Sequence, residues 1–201
     1  GFDAAQQADL MAASAPGMPG SSPAVVRFAF AHLLSRVQLV GRIDPSSAGI
    51  VGFTPRVHAI RLYGVPRTGS LSVAADAVTD PAALLAAWSL SGTTTSEAPM
   101  AEFTSPAGAE ISTDGVLLLD ALPLPQQLTP DASVEVVYST DGTGTELKTT
   151  VSQLTALSVS TWEAGRQYRY TFSISDRDRI LFDTPTVNGW DEAVGGITIV
   201  D

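Results

Sequence analysis

The chain has 201 residues, 21 acidic against 11 basic side chains, a formal charge of −10 and no cysteine. That length suits one large β-sandwich or two small domains and buries about 70% of the surface of the unfolded chain, so the fold needs neither disulfide nor metal. The charge speaks against nucleic acid and against an anionic membrane surface as direct partners, since both are bound through basic patches; the missing cysteine removes thiolate metal sites and cysteine nucleophiles. There is no run of about 20 apolar residues that would cross a bilayer as a helix.

In chain order, residues 1–23 differ from the rest. A short apolar patch at Leu10 and Met11 runs into a stretch rich in Pro, Gly and Ser that reads as a linker, which sets a boundary near Pro23. Beyond it the pattern is that of a β-protein. Val26, Phe28, Phe30, His32 and Leu34 alternate with other residues, which predicts a strand with its aromatic side chains buried on one face. Val37, Leu39 and Ile43 continue as a second strand, and residues 57–63 form a third that ends at Gly64. Residues 70–74 and 111–119 follow. Residues 80–88 dissent: an N-cap Asp80, Pro81 at the first helical position and a run of Ala and Leu predict a short helix. Residues 134–139 alternate well, Asp141 to Gly144 is a hairpin-turn signal, and residues 146–151 make the return strand. In residues 166–174, Tyr168, Tyr170, Phe172 and Ile174 share one face, and a polar turn at Asp176–Arg179 leads to Ile180, Phe182, Val187 and Trp190. Phe28, Phe30, Tyr170, Phe172 and Phe182 are the expected aromatic core.

Chemistry-bearing groups are sparse. The histidines are His32, on the aromatic face of its strand and so a core residue, and His58, out of phase with the apolar set and so on a strand surface. Neither has the motif context of a hydrolase or a metalloprotease. The loop Asp141–Glu146 holds two carboxylates, fewer than a calcium loop requires. Arg177 and Arg179 alternate with Asp176 and Asp178 and neutralise them. The acids give no way to choose the facing pair that a glycosidase needs. Trp88, Trp162 and Trp190 could stack on sugar, but at strand boundaries they read as core closure. No catalytic, cofactor or metal residues are assigned, and the chain is read as non-enzymatic.

Several segments, in order, resemble the fimbrillin-like (Mfa-like) family of bacterial fimbrial and adhesin subunits. They are Gln7–Ala12, Phe30–Val37, Leu62–Gly64, Pro123–Gln126, Val136–Tyr138, Trp162–Thr171, Ile180–Phe182 and Val187–Trp190. The resemblance implies an all-β fold, an antiparallel, transthyretin-like β-sandwich. Residues 1–23 would be the last strand of a preceding domain plus a linker, and residues 24–201 the C-terminal sandwich. It further implies a structural or adhesive subunit of a fimbria-like assembly at the cell surface, of tip or accessory type. Such a subunit would join other fimbrial subunits by strand exchange, meet a host or bacterial surface protein or glycan, and reach the outer membrane only through a lipid anchor absent from this chain. The candidate assembly strand is Ile197, Thr198, Ile199 and Val200, after a flexible Gly195–Gly196. A second candidate is the groove left if the strand near Leu10 is removed. The alternative is a carbohydrate-binding or glycan-processing sandwich module, because the same architecture hosts both.

Overall fold

The computed structural model describes residues 1–14, 28–74, 77, 78 and 80–190. In chain order the strands are β1 (Phe2–Asp3), β2 (Met11–Ser14), β3 (Ala29–His32), β4 (Arg36–Ile43), β5 (Arg56–Tyr63), β6 (Pro66–Leu71) and, after helix α1 (Pro81–Ala87), β7 (Trp88–Thr93) and β8 (Ala101–Glu110). They continue as β9 (Val116–Ala121), β10 (Gln126–Gln127), β11 (Ser133–Ser139), β12 (Lys148–Gln153), β13 (Thr161–Trp162), β14 (Arg166–Ser175), β15 (Arg179–Phe182) and β16 (Thr186–Gly189). The helix forms where the sequence predicts it: the Asp80 carboxylate accepts from the Ala82 amide at 2.9 Å, and Pro81 occupies the first turn, whose amide needs no partner. It stops at Ala87 because Trp88 is extended and already pairs with Leu71.

Two sheets face each other across one core. The first is antiparallel throughout, in the order β12-β11-β5-β8. The second runs β14-β4-β9, with β15 and β16 sharing the far side of β14. Within it β4 and β14 lie parallel, Arg36 opposite Gln167 through Ile43 opposite Ile174. The alternation of β14 decides what it buries: Tyr168, Tyr170, Phe172 and Ile174 all point inward. Their polar tips are provided for, as buried Tyr and Trp require. Trp162 Nε1 donates to the Tyr170 hydroxyl at 3.0 Å, and the Tyr168 hydroxyl accepts from the Glu163 amide at 2.8 Å. Burial drives the Tyr170 phenol far above its usual range, only partly offset by the bond from Trp162. The outward face of the same sheet is polar. Asp120 accepts two bonds from Arg36, at 2.9 and 2.6 Å, and one from Gln38, which in turn accepts from Arg169.

The first sheet extends into an arm. Beyond Tyr63 the chain bends and continues as β6, and β7 returns beside it before becoming β8. The bend depends on Gly64, whose φ is 74° and whose missing Cβ would stand 1.8 Å from the Asp131 carbonyl oxygen; no L side chain fits there. Residues 1–14 lie against this arm and the sandwich. Phe2 pairs with Gly69, the Asp3 carboxylate takes two 2.9 Å bonds from Arg67, and Ala4 is fully buried. The Gln7 side chain bridges the Ala4 carbonyl and the Leu122 amide.

The structure corrects three expectations. Phe28 and Phe30 are not core residues: they are 59% and 49% exposed, and among the described residues β3 pairs with β2 alone and belongs to neither large sheet. Phe182 is half-buried, on the short outer strand β15, where it packs against Phe172 at 5.7 Å between ring centroids. Strand β8 was unanticipated and is the far edge of the first sheet.

Candidate assembly surface

Subunits that add strands to one another need an open sheet edge with regular, unpaired backbone groups. Among the described residues the first sheet has two edges. Strand β8 is a poor template: it contains Pro106, which lacks an amide proton, and its pairing with β5 slips near Gly108. Strand β12 is a good one. Its six residues pair with β11 without a shift, from Ser133 opposite Gln153 to Tyr138 opposite Lys148. Val151 within it and Leu147 just before it are 52% and 56% exposed. In the second sheet the side beyond β14 is divided between two four-residue strands, and β9 forms the other edge with one register shift against β4.

The histidines divide much as the sequence suggests. His32 is buried, with Nδ1 3.1 Å from the Asp9 carboxylate and its ring stacked on Trp190 at 3.9 Å. It belongs to the pole of the sandwich rather than its centre, and its Nε2 has no hydrogen-bond partner among the described residues. His58 is half-exposed on β5, its Nε2 3.0 Å from the Ser139 hydroxyl. Its ring lies so close to Gly108 that a Cβ there would meet it at 2.8 Å.

The Asp141 loop closes on itself. The carboxylate accepts from the Thr143 hydroxyl and from the amides of Thr143 and Gly144, and its pKa falls to about 2. Every one of those contacts builds the turn. In the Asp176–Arg179 turn, Asp178 is paired with Lys148, not with a neighbouring arginine, and Asp176 accepts from the Ser47 hydroxyl. The arginines the sequence pairs with these acids are therefore not their partners. Among the described residues no group of three His, Asp or Glu side chains could hold a metal ion.

Trp88 and Trp162 are buried; Trp190 is half-buried, stacked on His32 with the Arg36 guanidinium 5.9 Å from its ring centroid. The candidate strand Ile197–Val200 lies outside the described residues. The other candidate can be seen: β2 covers β3, and the Leu33 amide donates to the Leu10 carbonyl at 2.8 Å.

The profile of the fimbrillin-like family matches residues 3–190, and the chain belongs to that family. A solved structure from Bacteroides uniformis ATCC 8492, whose role in cell adhesion is itself inferred, superposes with a TM-score of 0.57 at 18% identity over 94% of this chain and 65% of that one. A fimbrial protein from Bacteroides vulgatus ATCC 8482 gives a TM-score of 0.48 at 16% identity over 83% of this chain and 57% of that one. The chain thus spans about two thirds or less of the length of these structures. No protein with a curated description matches it.

Proposed function

We propose that the chain is a structural or adhesive subunit of a fimbria-like cell-surface assembly, of tip or accessory type, acting without catalysis. Membership of the fimbrillin-like family over residues 3–190 carries this reading. The edge of β12, regular and without a second strand partner among the described residues, supports it on physical grounds, since an added strand gains affinity from backbone bonds and register from alternate side chains. In this reading residues 24–201 are the C-terminal sandwich, and residues 1–23 are the last strand of a preceding domain with its linker. Ile197, Thr198, Ile199 and Val200 form a strand donated to a neighbouring subunit. Anchoring at the outer membrane comes from a lipid, and the target is a host or bacterial surface protein or glycan.

Antibody labelling of native cells under the electron microscope is expected to decorate surface fibres or their ends. Deleting residues 195–201 separates the two fates of the tail. Loss of assembly with an unchanged melting temperature identifies a donor strand; loss of stability places the tail in its own sandwich. Hydrolysis of any glycan by the purified chain would overturn the non-catalytic reading.

A further inference from the structure

Strands β4 and β14 pair in parallel through eight register pairs, from Arg36 opposite Gln167 to Ile43 opposite Ile174, without a shift. The ladder runs on past both ends: the Gly165 amide donates to the Leu34 carbonyl at 2.9 Å, and the Asp44 amide to the Ile174 carbonyl at 3.0 Å. Side chains fasten the same two strands. The Arg169 guanidinium donates twice to the Gln38 side-chain oxygen, at 3.2 and 3.0 Å, and Arg42 Nε donates to the Ser173 hydroxyl at 2.9 Å. Beyond the ladder, the Ser35 hydroxyl donates to the Glu163 carbonyl at 2.9 Å at one end, and the Ser47 hydroxyl to the Asp176 carboxylate at 2.8 Å at the other. The Phe172 ring sits in the notch left by Gly41, where a Cβ would stand 2.9 Å from it.

Parallel pairing fixes the direction of loading. The chain enters β4 at Arg36 and leaves β14 at Ser175, at opposite ends of the shared ladder. Tension on the chain before β4 and after β14 therefore draws the two strands past each other along their length. The bonds of the ladder carry that load together and must break together. The nearest register that keeps the tyrosines on the buried face lies two residues away, about 6.6 Å, so a small slip relieves nothing. The flanking strands are loaded differently. Strand β16 pairs antiparallel with β14 and ends at Gly189 opposite Arg166; β2 begins at Met11 opposite His32, where β3 ends. Tension entering at either place acts on one pair first and peels the strand pair by pair.

We infer that the β4–β14 ladder is a shear clamp, the element that carries tension through this chain, while residues 1–14 and strands β15 and β16 peel away at lower force. The clamp is a property of the chain itself; its use in a surface assembly, where a subunit is held by its neighbours, rests on the proposed function. Forced unfolding is governed by the barrier to opening and not by equilibrium stability. Endurance under load therefore depends on the direction of pull, which a melting temperature does not report.

The chain has no cysteine of its own, so paired substitutions place pulling handles at chosen points. Phe30→Cys with Arg177→Cys loads the ladder in shear. Phe30→Cys with Arg166→Cys pulls on the ends of β4 and β14 that lie side by side, and opens the ladder from Arg36 and Gln167 one pair at a time. All three positions are exposed, and an unchanged melting temperature of both double variants verifies the fold. In single-molecule force spectroscopy at one loading rate, the shear pair is expected to rupture at a several-fold higher force than the same-end pair. The rupture is expected to be discrete and to release the stretch between the handles, about 3.6 Å per residue. Equal forces in the two geometries, a lower force in shear, or extension of the shear pair without a discrete rupture would each overturn the clamp. None of these outcomes bears on the labelling of native cells, so failure of the clamp is distinct from failure of the proposed function.

Discussion

Strand β14 sets Tyr168, Tyr170 and Phe172 at every second position, and the segment through β3 does the same with Phe28, Phe30 and His32. All three of the first set are buried, whereas of the second only His32 is. The sequences are equally regular, so the difference lies in the surroundings. Strand β14 has β4 on one side, β15 and β16 on the other, and the opposing sheet over its aromatic face. Strand β3 belongs to a two-stranded ribbon with β2. Among the described residues no sheet covers this ribbon, and His32 is buried with Trp190 stacked across it and Asp9 beside it. Alternation reports which side chains share a face, and says nothing about whether another layer lies over that face.

The sharpest test of the comparison is truncation of matched rings. Phe172→Ala removes a fully buried ring beside Phe182 and is expected to cost about 3–5 kcal/mol, read as a lower urea midpoint. His32→Ala comes next, at about 1–3 kcal/mol, through loss of the Trp190 stack and the Asp9 contact. An unchanged melting temperature would remove His32 from the buried class.

The outward face of the β14 sheet is expected to show a smaller effect that depends on pH. Burial pushes the Asp120 carboxyl up, but the bonds from Arg36 and Gln38 outweigh burial and hold it below its usual range. Its stabilising contribution is therefore complete above the unfolded value of about 4 and is lost as pH falls through the lower folded value. Asp120→Asn should lower the urea midpoint at neutral pH, with the gap to the parent chain narrowing in acid. A gap that widens in acid contradicts the sign. The smallest change is expected for Phe30→Ala, within about 0.5 kcal/mol. A loss matching that of Phe172→Ala would break the comparison by showing that the β3 aromatic face is covered after all.

Much of the sandwich was legible because its central strands are amphipathic at period two. Strands β4, β5, β11 and β14 and helix α1 fall where alternation and capping place them. Strand β8 was not, since Pro106, Gly108 and several Ala residues remove the usual strand signals. It can carry them because it is an edge, where a missing amide proton leaves no ladder bond open and a glycine with φ of 75° fits beside His58. Strand β7 was hidden by its neighbour, because Trp88 looks like the last residue of the helix yet starts the strand. The partners of β12 and the seating of Phe28 and Phe30 depend on which distant strands meet, which no local pattern encodes.

The parallel pairing of β4 with β14 bears on the order in which the molecule can be made. Strand β4 is made well before its neighbours, since its contacts to β9 and β14 span 84 and 131 residues, as in Arg36 with Asp120 and Arg42 with Ser173. Neither neighbour exists when β4 leaves the ribosome, and closing loops of that length is slow. The second sheet cannot close until β14 has arrived, so until then the nascent chain has no completed sandwich to resist threading. For any chain that must pass a membrane pore before it folds, late closure delays premature compaction, at the cost of leaving an apolar strand edge open to aggregation in the meantime.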